Sequence, residues 1–167
     1  MWKEVNPEQW EGNVFYKIGK EWMLISAEHE ERVNAMTASW GGMGILWNKP
    51  VVFIFVRPQR FTKTLIDASS HFALTFYDEH QREMLAYMGK ASGRDEDKIA
   101  YANLTVIKDH APYFAEAKEA MICRKLFAQE LDPEGFQDAM LDQKNYPDKD
   151  YHILYVGEIE KVLLHEQ

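Results

Sequence analysis

The chain has 167 residues, a formal net charge of −8 at pH 7 and one cysteine. This length predicts a single domain over residues 1–167. The negative charge argues against nucleic acid and against an anionic membrane surface, because both are bound through distributed Lys and Arg. Cys123 alone cannot form an internal disulfide or an all-cysteine metal site. The polar start of the chain and the shortness of its longest apolar run, Val51–Val56, predict a cytoplasmic protein without a membrane span.

The first third of the chain is predicted to form short strands. Phe15–Ile18 and Trp22–Ala27 are rich in apolar residues and are separated by Gly19, which predicts a hairpin. Val33–Trp40 alternates between two sets of side chains, as a strand does. Three glycines follow that should end this strand and let the backbone approach a neighbour closely: Gly41, Gly42 and Gly44.

The rest of the chain is predicted to mix strands and helices. Val51–Val56 is an uninterrupted β-branched and aromatic run, typical of a strand buried on both faces. After Pro58 a helix is expected over Phe61–Ser69, with Thr62 as its candidate cap. The later elements are a strand at Phe72–Tyr77, helices at His80–Lys90 and Asp95–Ala102, and a long strand at Tyr151–Leu164 with a bulge or bend at Gly157.

One stretch, from Val33 to Ile66, contains no Asp or Glu, although the chain has 27 of them. It contains four cations and four hydroxyl side chains: Lys49, Arg57, Arg60, Lys63, Thr37, Ser39, Thr62 and Thr64. Guanidinium and hydroxyl donors suit a phosphate, and the start of the helix predicted near Thr62 would add free backbone N–H groups. The nearby aromatic residues could hold a flat ring, so this stretch has the outline of a site for a nucleotide-like cofactor. Composition alone leaves other interpretations open: the arginines could be solvated, and Thr37 and Ser39 could bond within the sheet.

Several familiar sites are excluded by spacing. Gly41–Gly44 lacks the glycine spacing of the dinucleotide fingerprint, and Gly89–Gly93 lacks that of the phosphate loop. Ser39 is not part of a nucleophile elbow, because Thr37 stands where that motif needs a glycine. The six histidines show no metal-ligand spacing, so no metal site is expected.

Several strings of residues, in order along the chain, resemble the flavin reductase-like family of FMN-binding split barrels. They are Asn34–Trp40 (NAMTASW), Lys49–Val51 (KPV), Val56–Thr62 (VRPQRFT), Ser92–Lys98 (SGRDEDK), Asp150–His152 (DYH) and Tyr155–Ile159 (YVGEI). The resemblance implies a mainly β fold, a six-stranded antiparallel Greek-key split barrel with peripheral helices. It also implies a homodimer with FMN near the subunit interface. By this likeness Glu116–Leu131 is a barrel strand, whereas its strong helix formers predict a helix.

The resemblance also implies which residues bind the cofactor. One strand would run along the isoalloxazine ring and bind its polar edge: Asn34, Met36, Thr37, Ala38, Ser39 and Trp40. The turn with Arg57, Arg60 and Thr62 would clasp the phosphate, and Phe61 inside that turn is counted with them. Lys90 resembles a family lysine near the flavin, although a solvated helix end would explain it as well.

His152 resembles the family histidine beside the ring, where the nicotinamide or the acceptor would arrive. Asp150 lies two residues away on the same strand face and could orient the imidazole. Without the resemblance, a histidine in a strand is more simply a partly buried polar residue.

Three functions remain open at the level of sequence. The leading one is an oxidoreductase that passes electrons from NADH or NADPH through bound FMN to a flavin, ferric or protein acceptor. The second is a flavoredoxin-like electron carrier that does not itself oxidise NAD(P)H and docks redox partners. The third is a non-redox binding protein that keeps the barrel without FMN.

Overall fold

The computed structural model describes residues 1–166, in which ten strands and five α-helices are present. The strands are β1 (Trp2–Val5), β2 (Met23–His29), β3 (Arg32–Ala38), β4 (Gly41–Leu46), β5 (Lys49–Val56), β6 (His71–Phe76), β7 (Val106–Ile107), β8 (Tyr113–Phe114), β9 (Glu119–Glu130) and β10 (Ile153–His165). The helices are α1 (Val14–Tyr16), α2 (Phe61–Ala68), α3 (Arg82–Lys90), α4 (Lys98–Tyr101) and α5 (Ala139–Asn145). No helix within these residues is long and apolar enough to cross a membrane.

Eight of the strands form one antiparallel sheet in the order β3-β2-β6-β9-β10-β5-β4, with β1 paired to β10. This architecture confirms the predicted fold class, although the described residues form eight sheet strands where six were expected. β3 and β4 lie at opposite ends of the order, yet only Ser39 and Trp40 separate them in the chain. The sheet must therefore curl until its two ends approach each other. The outer edge of β3 has no strand partner among the described residues.

The main core lies inside this curled sheet. Val52, Ile54 and Val56 of β5 are fully buried in it, whereas Phe53 and Phe55 are only half-buried. The prediction that this strand is buried on both faces is therefore wrong for its second half, where burial alternates as in a strand with one covered face.

Two predictions conflicted for Glu116–Leu131, a strand from the family likeness and a helix from residue propensity. The strand is confirmed, because Glu119–Glu130 forms β9. It pairs with β10 along most of its length and with β6 along its first half. The residues Glu119–Cys123 are all buried. Two strand partners and a buried position outweigh the helix propensity of the separate residues, which counts for little in a packed sheet.

Two local predictions are wrong, and a third is confirmed in part. Phe15–Ile18 is helical, and the side chain of Asn13 caps it by accepting a hydrogen bond from the Tyr16 N–H. β3 ends at Ala38, before the three glycines, but these glycines lie in a further strand, β4, and not in a break. The predicted close approach is present at Gly41, where φ is 147° and a Cβ atom would lie 2.7 Å from the Phe53 carbonyl oxygen. Thr62 does not cap α2, because it is the second residue of that helix and is buried.

The bulge predicted at Gly157 is confirmed. The pairing of β10 with β9 shifts register between Val156 and Gly157. A Cβ atom on Gly157 would lie 2.5 Å from the Phe72 ring, so the close approach leaves no space for a side chain. The helix predicted at Asp95–Ala102 is shorter, and Asp97 caps α4 through the Ala100 N–H.

Candidate functional site

A small cavity of about 110 Å³ lies between the start of α2, the strand β3 and the chain that follows α3. It is lined by Asn34, Gln59, Arg60, Phe61, Thr62, Lys90, Ala91, Ser92, Gly93 and Lys98. Five residues predicted to bind the cofactor are among these: Asn34, Arg60, Phe61, Thr62 and Lys90. The fold therefore brings together residues from three separate stretches of sequence.

The lining of this cavity has three cations and no carboxylate. Lys98 is fully buried, and its Nζ donates to the Met88 carbonyl at 2.9 Å. Burial and the nearby charge of Arg60 lower the pKa of Lys98 to about 8. Burial also lowers the pKa of Arg60. Two desolvated cations that repel each other favour the binding of an anion between them.

Asn34 and Thr62 provide a fixed polar wall. Asn34 Nδ2 donates to Thr62 Oγ1 at 3.0 Å, which leaves the threonine proton free to be donated to a ligand. A Cβ atom on Gly93 would lie 2.4 Å from Asn34 Oδ1, so only glycine at position 93 leaves the amide in this orientation. The donors at the start of α2 are thus held in place before any ligand binds.

Arg60 and Phe61, which also line this cavity, make contacts with neighbouring parts of the chain. Arg60 Nη1 donates to the Gly89 carbonyl at 3.0 Å, at the end of α3. The Phe61 ring lies 4.2 Å from the guanidinium carbon of Arg32 and 5.3 Å from that of Arg94. These cation–π contacts hold two further positive charges around the corner.

Arg57 does not line this cavity, which differs from the prediction that it clasps the phosphate together with Arg60. Its Nη1 lies 3.0 Å from Asp150 Oδ2, and its Nη2 donates to the Asn145 carbonyl at 3.0 Å. Its guanidinium also lies 5.0 Å from the centre of the Tyr146 ring. The Pro58 turn separates the two arginines. Arg57 lies on the side of α5, where the carboxylate of Asp150 already compensates its charge.

A second cavity, of about 240 Å³, adjoins the first because Lys90 lines both. Its other lining residues are Trp22, Thr37, Ser39, Leu85, Ala86 and Gly89. Thr37 Oγ1 donates to the Leu85 carbonyl, and α3 packs closely because a Cβ on Gly89 would lie 3.3 Å from Thr37 Cβ. Thr37 and Ser39 therefore face a cleft between β3 and α3.

Met36 and Ala38 point the other way along β3. Met36 is buried in the main core, and Ala38 packs against that core. A ligand beside β3 could reach these two residues only through their backbone. Because the outer edge of β3 has no strand partner in the described chain, its backbone donors and acceptors can serve a ligand.

A third cavity, of about 520 Å³, continues from Ser39 to Trp40. Its walls are mostly apolar and include Val14, Phe15, Ile18, Gly41 and Met43. Trp40 is half exposed, and its ring lies 5.3 Å from the His152 ring between centroids. Lys90 lines the first and second cavities, and Ser39 lines the second and third. We call these three neighbouring cavities together the cleft, which is cationic at one end and aromatic at the other.

His152 is buried and neutral. Burial, followed by the charge of Arg57, lowers its pKa to about 4. Tyr146 Oη lies 2.7 Å from His152 Nδ1. Burial raises the pKa of Tyr146, so its hydroxyl stays protonated and can donate to Nδ1, which leaves the ring proton on Nε2.

Asp150 does not orient this imidazole, contrary to the sequence prediction. Its carboxylate contacts Arg57, and it accepts from Gln59 Nε2 at 2.8 Å. Tyr146 takes the orienting role instead. The sequence offered no signal for this, because Tyr146 lies outside the strings that carry the family resemblance.

Sequence reasoning gave no role to several residues of the cleft, among them Trp22, Ser92 and Lys98. Ser92 and Lys98 belong to the string Ser92–Lys98 that resembles the family, but the resemblance implied no cofactor contact for either residue. Trp22 carried no such signal. Its placement depends on the turn between the π-helical segment Lys17–Glu21 and β2.

A larger cavity, of about 640 Å³, lies on the far side of Asn34, Gly93 and Lys98. Four carboxylates line it, Glu31, Asp95, Glu96 and Asp97, together with four cations, Arg32, Arg94, Lys98 and Lys108. These opposite charges balance, whereas the small cavity at the start of α2 has three cations and no carboxylate. The small cavity therefore suits a phosphate better, although it has a fraction of the volume.

Comparison with known protein families shows which family the chain belongs to. A family described as flavin reductase like domain matches residues 15–167. The chain belongs to the flavin reductase-like family. Its fold is also similar to those of several solved structures. Their sequence identities to this chain are below 25%, so the similarity concerns the fold alone. Flavoredoxin from Methanosarcina acetivorans has a TM-score of 0.71 and 20% identity, covering 88% of this chain and 69% of that one. An FMN-binding protein from Thermus thermophilus, solved with bound p-hydroxybenzaldehyde, has a TM-score of 0.67 and 24% identity, covering 87% and 71%.

Among curated proteins, this flavin reductase-like chain is similar to an uncharacterized protein of Aeropyrum pernix. The two are 30% identical over 103 residues, which cover 59% of this chain. The match covers only 39% of that relative's length.

Proposed function

We propose that this flavin reductase-like protein binds FMN along the cleft, with the phosphate at the start of α2. The observation that carries the proposal is the desolvated pair Arg60 and Lys98 in a cavity without carboxylates. Thr62 and the free N–H groups of α2 add donors at the same point. A dianionic phosphate would relieve the repulsion between the two cations and occupy a cavity of fitting size.

The flavin ring would lie along β3. Thr37 and Ser39 line that part of the cleft, and Met36 and Ala38 can contribute backbone groups. Trp40 would bound the apolar end. Hydrogen-bond donors and positive charge near the ring carbonyls stabilise a reduced flavin, because negative charge collects there. Lys90, which lines both the first and second cavities, is the cation best placed for this.

The proposed activity is that of an oxidoreductase taking electrons from NADH or NADPH and delivering them to a flavin, ferric or protein acceptor. When bound, FMN supplies the redox chemistry, since it accepts a hydride and passes electrons on. The chain would contribute binding and orientation. His152, neutral at pH 7, would offer its Nε2–H as a hydrogen-bond donor beside Trp40 rather than deliver a proton.

A flavoredoxin-like electron carrier is the second candidate. The net charge of −8 favours it, because an acidic surface would attract basic redox partners. In that case FMN would be held in the same cleft, and NAD(P)H would not reduce it at enzymatic rates. Both candidates are consistent with a cytoplasmic location, and the one cysteine, Cys123, is buried and free.

The proposed assembly is a homodimer. Apolar side chains are exposed along β4 and beside it, where the sheet has its second free edge. Ile45 is 68% exposed and Trp47 54%, and the Trp47 ring lies 6.4 Å from that of Phe127. A second copy of the chain packed on this surface, which we call the β4 patch (Ile45, Trp47 and Phe127), would remove it from water.

Binding of FMN and of riboflavin separates the phosphate site from the ring site. Arg60→Met should weaken FMN binding by about tenfold to a hundredfold, because a charge-assisted bond to phosphate contributes about 1.5–3 kcal/mol. Riboflavin, which has no phosphate, should bind this variant about as well as the wild type. Quenching of flavin fluorescence measures both constants.

Arg57→Met is the matched control, since the side chain is of the same kind but lies outside the cavity. It should leave the ratio of FMN to riboflavin affinity unchanged. If the wild-type protein bound the two flavins equally well, or if Arg57→Met were the variant that lost the preference for FMN, the assignment of the phosphate site would be wrong.

Anaerobic mixing with NADH and with NADPH decides between the two candidate functions. Fast bleaching of the flavin absorbance supports the reductase. Loss of absorbance only with a strong chemical reductant supports the carrier. A protein that binds no flavin at all would exclude both.

A further inference from the structure

Three potential metal ligands from distant parts of the chain meet on the surface of the sheet, away from the flavin cleft. They are His71 at the start of β6, His110 in the loop between β7 and β8, and Glu160 in β10. We propose that these three side chains bind a divalent transition metal of the zinc type. The proposal is independent of FMN binding, because none of the three lines the cleft.

The distances among the ligand atoms fit a metal between them. His71 Nε2 lies 3.0 Å from Glu160 Oε2, and His110 Nδ1 lies 3.5 Å from the same oxygen. All the ligand atoms of the cluster lie within 4.8 Å of one another. Around Zn²⁺, bonds of about 2.0–2.2 Å in a tetrahedral arrangement place ligand atoms roughly 3.4 Å apart. Small adjustments of the exposed His110 would complete the coordination.

The neighbouring residues orient two of the ligands as a metal site requires. Ser70 Oγ lies 2.8 Å from His71 Nδ1, so it can accept the ring proton and leave the Nε2 lone pair for a metal. Arg124 Nε lies 3.3 Å from Glu160 Oε1, the carboxylate oxygen that does not face the histidines. Arg124 also pairs with Glu158 at 2.8 Å, so part of its charge is compensated.

Ligand chemistry indicates which metal would bind. Two imidazole nitrogens and one carboxylate oxygen suit zinc and its neighbours rather than Mg²⁺ or Ca²⁺, which prefer oxygen. Three protein ligands leave a fourth position for water or another group. His110 is exposed, so this position faces solvent. Binding there would also fasten the loop of His110 to β6 and β10.

Ordinary hydrogen bonding is the competing explanation, since histidines often contact glutamate without any metal. The two explanations differ in what a metal titration shows. Untagged protein is first stripped with a chelator and then titrated with Zn²⁺ in a calorimeter. We expect one Zn²⁺ per chain. Co²⁺ should then give visible absorption bands of the intensity typical of tetrahedral coordination.

Two variants and one control identify the ligands. His110→Ala and Glu160→Gln should each weaken Zn²⁺ binding by at least about tenfold, because each removes one of three protein ligands. His29→Ala is the matched control. His29 is also paired with a glutamate, at 3.7 Å from Glu30, but it belongs to no group of three metal ligands among residues 1–166, so its replacement should leave Zn²⁺ binding unchanged.

Circular dichroism checks that each variant is folded, and the exposed position of His110 makes that variant the safer of the two. The proposal is overturned if the wild-type protein binds Zn²⁺ no more tightly than His110→Ala and Glu160→Gln do. It is equally overturned if His29→Ala loses as much affinity as they do.

Discussion

If FMN binds as proposed, Lys98 should make the FMN affinity depend on pH. Its pKa of about 8 in the ligand-free protein means that it loses its proton in mildly alkaline solution. A bound phosphate would hold the proton on, so binding above pH 8 requires proton uptake. We expect the FMN dissociation constant to rise by up to about tenfold per pH unit between pH 8 and 9.5. Fluorescence titrations across this range measure it.

Riboflavin provides the control for that pH dependence, because it lacks the phosphate. Its affinity should vary much less over the same range. Lys98→Met should bind FMN more weakly and without the Lys98 contribution to the pH profile. Parallel profiles for FMN and riboflavin in the wild-type protein would contradict the role given to Lys98.

His152 links folding stability to acid. Its folded pKa of about 4 is below the ordinary value of 6.5, so between these values the unfolded chain binds more protons. The contribution is fully present above pH 6.5 and is lost as the pH falls towards 4. At 1.36 kcal/mol per pKa unit, the loss is roughly 3 kcal/mol.

Chemical denaturation of the wild type and of His152→Gln between pH 7 and 4 tests this. The variant should lose less stability than the wild type over that interval, whatever its stability at pH 7. Equal slopes for the two proteins would show that His152 is not held neutral by its surroundings.

Gly93, in the segment after α3, lies against Asn34 of β3. One methyl group added at this contact should disturb the proposed cofactor site. Gly93→Ala places a Cβ 2.4 Å from Asn34 Oδ1, which is too close for two non-bonded atoms. Asn34 must then move, and its hydrogen bond to Thr62 is lost. We expect FMN affinity to fall by about fivefold to tenfold, in line with the loss of one hydrogen bond.

Gly135→Ala is the control for this prediction, because nothing lies within 4 Å of a Cβ at that position. It should bind FMN like the wild type. Unchanged FMN affinity in Gly93→Ala would mean that the wall formed by Asn34 and Thr62 does not contact the ligand.

Sequence predicts most of the sheet and the grouping of Arg60 with Thr62, because both follow from local pattern. The alternation in Val33–Trp40 indicates β3, and the acid-free stretch contains Arg60 and Thr62, which line one cavity. The role of that cavity in binding phosphate stays a proposal. Pairing partners are not local, which is why propensity failed at β9 and only the family likeness placed a strand there. Two features of the site likewise depend on contacts between distant parts of the chain and cannot be read from local sequence. Arg57 pairs with Asp150 while Arg60 lines the cavity, and Lys98 is buried.

At the scale of the whole molecule, the exposed β4 patch predicts the oligomeric state. If it is the dimer interface, Ile45→Glu should shift the protein from dimer to monomer, because a buried carboxylate without a partner is costly. Size-exclusion chromatography with light scattering measures the mass. Met140→Glu adds the same charge at a residue that is 66% exposed on α5, outside the patch, and should remain dimeric. A monomeric wild-type protein would contradict the proposal.

The pairing order of the sheet also determines how the chain folds. The hairpins β2–β3 and β4–β5 can zip up early, because each joins strands that are neighbours in sequence. The β2–β3 hairpin can add β6, but the two halves of the sheet are joined only when β9 and β10, from the last third of the chain, pair with β6 and β5. Pairings between such distant segments slow folding, because chain entropy is lost before contacts form. The cleft beside β3 should therefore form late, and the proposed FMN could be held there only after β9 and β10 have been synthesised and paired.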